Sequence, residues 1–409
     1  MNYQSYMLKD VYEESKRNNF SVISTFAGGG GSSTGYKLAG GNILAINEFM
    51  EHAQRTYLAN YPDVEGKVLT DSIVDLTGQD FLDIANIKPG ELDILDGSPP
   101  CTLFSMSGKR AKSWKQEDRL YHGKKLTEDE NKEVFTEDLT LEFIRIAEEI
   151  KPKLVIIENV KAMTAGKAME YYNLFDNELE GIGYTCSFKI LKASYYGVPQ
   201  RRERVFIIGV RNDLIEERGY DSFGVRSLLF PNPKYYKTET TLGSALLDLK
   251  QNEENQKYAK EELAKLADGN PVVVEVLKRI PHNPDSQQQF CNYLRDLANE
   301  RPDDPHLGKF KDEEDEHGRK IPRLSYFNYF RTSYIKPSPT ITGRCHSYYL
   351  PDSDRCFTLL ELKRIMSLPD DYKFTEDTRK AEAEERIGLM VAPLQMKAIA
   401  DHLYKTFLE

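Results

Sequence analysis

Ser21-Val22-Ile23-Ser24-Thr25-Phe26-Ala27-Gly28-Gly29-Gly30-Gly31 is a short apolar run that ends in four consecutive glycines. A strand, a glycine turn and a helix are what a dinucleotide or nucleoside cofactor needs. Glycines let the backbone approach the ligand and adopt φ above zero, and the next helix offers free N–H groups. Outward from this turn, residues 21–211 alternate apolar runs with helical patterns. Strands are expected at Ser21–Phe26, Asn42–Asn47, Leu92–Asp96, Leu154–Ile157 and Val205–Val210, with Tyr184–Leu191 as a further candidate. Helical stretches lie between them at Glu48–Asn60, Leu139–Ile150 and Ala168–Gly181. This βαβ rhythm predicts an α/β fold, a mostly parallel sheet with helices on both faces. The second strand ends at Asn47-Glu48, where a carboxylate can accept hydrogen bonds from ribose hydroxyls. A helix N-terminal charge favoured by the macrodipole explains Glu48 equally well. Turn and carboxylate together suggest a nucleoside cofactor, with NAD as the standing rival.

The chain has 409 residues, 40% hydrophobic and 29% charged, the composition of an ordinary globular protein large enough for two domains. No run of about 18 apolar residues is present, so no membrane span is expected. The polar stretch from Met1 to Phe20 has no apolar signal core, which argues against export and for the cytoplasm. Five cysteines (Cys101, Cys186, Cys291, Cys345 and Cys356) form no CxxC pair. Reduced thiols are therefore the better reading than disulfides, and no metal site is expected. The net charge of −10 argues mildly against nucleic acid, although local basic stripes at Lys109–Lys112, Gln200–Arg204 and Arg319–Arg344 leave that partner open. After Arg211 the rhythm fails. Residues 250–335 are charged, broken by prolines and without clear periodicity, which suggests a smaller domain or long insertion. Apolar order returns from Thr340, with helical patterns at Glu361–Met366 and Leu394–Phe407.

Chemistry enters with Pro99-Pro100-Cys101-Thr102-Leu103-Phe104-Ser105. The two prolines hold a thiol on stiff backbone just past a strand end, where α/β enzymes expose reactive groups. A lone cysteine is more often a small buried hydrophobe. Its company is Glu158-Asn159-Val160 at the end of an apolar strand and Gln200-Arg201-Arg202-Glu203-Arg204 before another. Alternation sets Gln200, Arg202 and Arg204 on one face of that strand. Seen alone, the first is an ordinary strand-end polar pair and the second a solvated basic strand start.

In this order, the FxGxGG turn, the Pro-Pro-Cys segment, Glu-Asn-Val and QxRxR resemble the cytosine-5 DNA methyltransferase family of bacterial or phage type. The resemblance covers most of 20–249 and 336–407 and implies a Rossmann-like sheet ending in an antiparallel hairpin. It implies that the turn at Phe26, Ala27, Gly28 and Gly30 binds S-adenosylmethionine, that Glu48 holds its ribose and that Phe49 flanks its adenine. The family's Asp-Ile pair at the adenine edge falls on Asp71-Ser72-Ile73, with Asp71 or Ser72 at the contact. Pro100, Leu139 and Val391 complete the implied cofactor set. Cys101 is implied as the nucleophile at cytosine C6, Glu158 as a protonated carboxyl at N3, and Asn159 as the group that fixes the cysteine loop. Arg202 and Arg204 would brace that loop and reach the cytosine O2.

Ser105–Asp118, with Lys109, Arg110, Lys112 and Trp114, resembles the loop that closes over DNA around a flipped-out base. The remaining expected DNA contacts are Ser105, Gln200, Arg319, Lys320, Arg323 and Arg331. Ser338–Thr342, Arg355–Leu362 and Pro369–Tyr372 resemble the brace of the recognition domain. Ile387–Pro393 stands where the family has IGNAVPP, with Leu389 in place of the asparagine and Ala392 in place of the first proline. The domain reading is 1–249 catalytic, 250–335 target recognition and 336–409 a return to the brace and the catalytic domain. Expected partners are double-stranded DNA and a cognate restriction endonuclease, with a monomer as the default state. A tRNA cytosine-5 methyltransferase and a non-catalytic DNA- or partner-binding relative remain alternatives. An NAD oxidoreductase gives no purpose to Pro-Pro-Cys or QxRxR.

Overall fold

The computed structural model describes residues 3–100, 120–121, 124–125, 136–164, 168–233, 238–251, 256–257, 260–261, 271–282, 288–289, 291–307, 313–314, 317–321, 330–342 and 348–409. They fall into two compact units. A sheet unit holds Tyr12–Leu191, Glu203–Pro231 and Met396–Glu409, and a second unit holds Met1–Val11, Lys192–Arg202 and Asn232–Gln395. The boundaries expected at 249/250 and 335/336 both fall inside the second unit.

After the short helix α1 (Leu8–Ser15), the sheet strands in chain order are β1 (Phe20–Thr25), β2 (Gly41–Asn47), β3 (Val68–Leu69), β4 (Ile94–Gly97), β5 (Leu154–Val160), β6 (Tyr184–Lys192) and β7 (Glu203–Arg211). The sheet has seven strands in the order β3-β2-β1-β4-β5-β7-β6. Every pairing from β3 to β5 is parallel, and β5 pairs with β7 antiparallel. Helices α2 (Gly31–Leu38), α3 (Glu51–Asn60), α4 (Gly78–Ala85), α5 (Thr136–Ile150) and α6 (Ala168–Gly181) lie between the strands. The expected strands and helices are found with ends displaced by a few residues.

The sequence dictates this arrangement through burial. Leu154, Val155, Ile156 and Ile157 are all fully buried, so both faces of β5 are covered, as a parallel sheet requires. On α5, Leu139, Phe143, Ile146, Ala147 and Ile150 recur at helical spacing, and all are buried in the same core as Ile23, Leu95 and Val155. Burying a side chain such as Phe143 contributes about 2–3 kcal/mol. A polar clamp fixes the opposite end of the sheet: Asp93 accepts from Ser21 N at 2.8 Å, Ser21 Oγ at 3.0 Å and Lys153 Nζ at 2.7 Å. The chain order reverses direction between β1 and β4, where α/β sheets open a crevice at the strands' carboxyl ends. Met396–Glu409 belongs to the sheet unit, where His402 Nε2 lies 2.7 Å from Leu228 O and Arg218 Nη1 donates to Thr406 O at 3.2 Å.

Among its described residues, the second unit has two apolar cores. One gathers Ala193, Val198, Leu242, Leu246, Ile341, Phe357, Leu362, Ile387 and Ala392. The other lies in the stretch without clear periodicity. Helices Pro271–Leu277 and Cys291–Glu300 bury Val272, Val273, Val276, Leu277, Leu294 and Leu297 together with Leu307 and Tyr349. Its polar hub is Arg331, with no exposed surface, which donates to Leu350 O at 3.2 Å, Ser353 O at 3.0 Å, Leu277 O at 2.8 Å and Asp354 Oδ1 at 2.5 Å. Burial disfavours the ionised Asp354, yet hydrogen bonds from Arg331 and His282 hold its carboxyl below the usual range. Arg331→Ala should therefore destabilise this unit by about 3 kcal/mol, because it strands a carboxylate and three carbonyls. Thermal unfolding followed by circular dichroism reads the loss, and an unchanged midpoint would remove Arg331 as the hub. No described helix is long and apolar enough to cross a membrane.

Candidate active site

The register places the expected groups of the sheet unit at one end. Thr25 of β1 pairs with Gly97 of β4, and Gly97 pairs with Ile157 of β5. The glycine turn after β1, the proline pair after β4 and Glu158-Asn159 on β5 therefore meet at the carboxyl ends of adjacent strands.

The turn itself is left-handed at Phe26 (φ 51°), Gly28 (φ 55°) and Gly30 (φ 91°). A non-glycine residue in that region is a local strain of the kind concentrated at functional turns. At Gly30 an added Cβ would come within 3.1 Å of the rings of Tyr57 and Tyr61, both fully buried. At Gly28 it would meet nothing within 4 Å, so the turn is open on that side. Gly30→Ala should cost about 1–3 kcal/mol from backbone strain alone and displace the turn, lowering the unfolding temperature. Thermal unfolding reads the loss, and an unchanged midpoint would mean that the left-handed backbone at Gly30 carries no strain for another residue.

Glu48, buried, accepts from Gly28 N through Oε2 and from Met50 N through Oε1, each at 2.7 Å. Burial raises its pKa, while these two N–H groups pull it back down. Glu48 thus ties the glycine turn at Gly28 to Met50, the N-cap of α3. Each oxygen keeps a second lone pair for a ligand hydroxyl. The neighbouring Phe49 leaves 52% of its surface exposed. Asn47 Nδ2 donates to Leu69 O at 3.0 Å and Asp71 O at 2.9 Å, which pins the segment after β3 beside β2. There Asp71 is exposed and Ser72 half-buried. Ile73 and Leu139 are enclosed in the sheet unit's apolar core, at 2% exposure each, so they can act on a ligand only by packing behind the site.

Asn159 Nδ2 donates to Pro99 O at 3.3 Å, tying β5 to the segment that leads through Pro100 to residue 101. Glu158, 7% exposed, has Oε1 3.1 Å from Arg204 Nε of β7. The pair is not aligned for a hydrogen bond, so this buried oxygen accepts none among the described residues. Burial holds the Arg204 guanidinium below its usual pKa, with the Glu158 charge opposing that shift.

Cys101, Ser105, Lys109, Arg110, Lys112 and Arg323 lie outside the described residues, as does the side chain of Lys320. Arg319 is exposed. In the second unit Gln200 and Arg202 are buried braces. Gln200 Oε1 accepts from Ile341 N at 3.0 Å, Gln200 Nε2 donates to Ile365 O at 3.3 Å, and Arg202 Nη1 donates to Gly388 O at 2.9 Å. Gln200 and Arg331, expected on DNA, are fully enclosed and spend their donors on their own unit. Strand alternation did not distinguish a buried brace from a solvated contact. Val391 and Ala392 are buried, and Leu389 is 60% exposed.

Asp96 carries no expectation from sequence. It is fully buried on β4, accepting from Ser24 Oγ at 2.9 Å and Tyr36 OH at 3.0 Å. The available signal was a carboxylate inside an otherwise apolar strand.

The family model described as C-5 cytosine-specific DNA methylase matches residues 20–405. The Escherichia coli Type II methyltransferase M.Eco47II is 30% identical over 375 residues, covering 88% of this chain and 74% of that protein. The Haemophilus parahaemolyticus Type II methyltransferase M1.HphI is 26% identical over 387 residues, covering 95% and 87%. Among solved structures, a DNMT2 variant from Spodoptera frugiperda superposes with a TM-score of 0.54 at 18% identity, covering 95% of this chain and all of that one, a likeness of fold. A match spanning almost the whole chain, over a sheet with a glycine turn and a Glu-Asn strand end at the carboxyl ends of its strands, means that this protein belongs to the C-5 cytosine-specific DNA methylase family.

Proposed function

We propose that the chain transfers a methyl group from S-adenosylmethionine to C5 of cytosine in duplex DNA at a specific sequence. The observation that carries this reading is the buried Glu158 Oε1, which lacks a proton donor among the described residues, on the strand whose next residue, Asn159, holds the Pro99 carbonyl. Cytosine C5 is a poor nucleophile. A thiolate at Cys101 adds to C6, and the ring electrons move to make C5 enamine-like. A carboxyl proton from Glu158 at N3 stabilises the charge that this addition places on the ring. After C5 has accepted the methyl group, loss of its proton to a base and departure of the thiolate restore the aromatic ring. S-adenosylmethionine, when bound, supplies the electrophilic methyl group at a sulfonium.

The residues present fit that cofactor. The turn is open at Gly28, both Glu48 oxygens keep an acceptor site for ribose, and the exposed Phe49 ring offers a face to adenine. Arg204 restrains Glu158, and Arg202 braces main chain within its own unit. Site choice is assigned to 250–335, with phosphate contacts from Lys109, Arg110, Lys112, Arg319, Lys320 and Arg323. The names of the Type II relatives support a cognate endonuclease as partner and the bacterial cytoplasm or nucleoid as location.

The test is incubation with methyl-labelled S-adenosylmethionine and, separately, mixed-sequence duplex DNA or tRNA. Label recovered from DNA as 5-methylcytosine supports the reading. Label in tRNA alone selects an RNA substrate, and transfer to neither overturns the activity.

A further inference from the structure

Asp96 is a carboxylate with no access to solvent, and the methyl-transfer scheme above does not use it. Its surroundings are specific. Ser24 Oγ, on β1 two residues before Phe26, donates to Oδ2 at 2.9 Å. Thr25 Oγ1, the last residue of β1, donates to the Asp96 carbonyl at 3.0 Å. Ser32, in the first turn of α2, hydrogen-bonds the same carboxylate, and Tyr36 OH, one turn later, donates to Oδ1 at 3.0 Å. The residues that enter the glycine turn and the residues that leave it are therefore fastened to one side chain. That side chain sits on the strand leading into Pro99-Pro100. An apolar residue would fill the same space without the cost of burying a charge.

We propose that Asp96 is a positioning residue for the cofactor: its carboxylate locks both ends of the turn Phe26–Gly31 onto β4 and so presets the turn against the strand that carries the cysteine segment. The inference rests on the S-adenosylmethionine reading above. Among the described residues, the titratable and charged groups around Asp96 are Tyr36 on α2, Tyr57 on α3, Glu158 on β5 and, beside Glu158, Arg204 on β7. Burial pushes the Asp96 carboxyl up to about 6, the Glu158 charge adds to this, and the three hydroxyl donors oppose it. A carboxyl that takes a proton loses an acceptor site for these hydroxyls. The lock is thus half formed near pH 6, tightens as pH rises above it and loosens as pH falls below it.

The experiment is calorimetric titration of S-adenosylmethionine into the full chain and into Asp96→Asn, between pH 5 and pH 8, with kcat measured at saturating cofactor. In the variant Kd should rise about tenfold or more at pH 7.5, while kcat falls less than about threefold. The wild-type Kd should climb as pH drops through about 6, and the variant should lose that step. Equal Kd in both proteins, or a kcat loss as large as the Kd change, overturns the proposal. A wild-type chain that binds no S-adenosylmethionine removes the underlying reading and this inference with it. If Asp96→Asn does not fold, Ser24→Ala and Tyr36→Phe each delete one donor and keep the carboxylate. Each should weaken binding about threefold or more, and unchanged binding in both overturns the assignment.

Discussion

Cys101→Ser should abolish methyl transfer, with a loss on the order of 10⁴-fold or greater in single-turnover rate. The argument is one of ionisation. A thiol of ordinary pKa near 8.5 is a few per cent thiolate at neutral pH, whereas a serine hydroxyl is essentially never ionised. Attack at C6 needs the anion, so the substitution removes the nucleophile while changing one atom. Cofactor binding should survive, because the groups assigned to it, the turn at Gly28 and Gly30 and the Glu48 carboxylate, are held by β1, β2 and their own hydrogen bonds. The measurement pairs a rapid-quench assay on duplex DNA with S-adenosylmethionine titration of the same preparation. A serine variant that retains about a tenth of the wild-type rate would exclude covalent catalysis by residue 101.

How far the sequence discloses this molecule depends on whether local pattern and tertiary role coincide. Along β5 they coincide: a short apolar run rich in β-branched residues just after Pro152 suits a strand buried on both faces, and that is how Leu154–Ile157 sits. The turn at Phe26–Gly31 was legible as a break after the strand, since four glycines disfavour a continuing strand and admit the positive φ found at Gly28 and Gly30. Residues 271–300 were not, because Pro271 read as a breaker when it stands at the first position of a helix, where its missing N–H costs nothing. The helices there are seven and ten residues long, too short for a periodic stripe to emerge from a charged background. Gln200 and Arg331 show a second limit. A polar side chain in a basic stretch looks like a surface contact, and only the carbonyls it meets in three dimensions reveal a buried brace. Asp96 shows a third, since its three hydroxyl partners lie 60 to 72 residues away in sequence.

Glu158→Gln should lower kcat by about 10²- to 10⁴-fold, the usual contribution of a positioned acid, and leave the cofactor Kd within about threefold. The amide keeps the size and one acceptor oxygen of the carboxyl but has no acidic proton for N3. The negative charge that forms on the ring after attack at C6 would then develop without a proton donor at that position. A structural cost accompanies the change. Arg204 lies 3.1 Å from Glu158, and burial already disfavours its charge, so neutralising the partner leaves a cation less well compensated. With the Arg204 side chain 16% exposed, solvent screening is slight, and the expected loss of stability is about 1–3 kcal/mol. The two effects separate in practice. Turnover is measured well below the unfolding temperature of the variant, where a stability loss of that size leaves the chain folded. The chemical defect should persist there, whereas a purely structural one should disappear on cooling. Double substitution sharpens the distinction: adding Arg204→Gln to Glu158→Gln removes the uncompensated cation and should restore stability without restoring turnover. Recovery of activity in the double variant would assign Glu158 to holding Arg204 rather than to the ring proton.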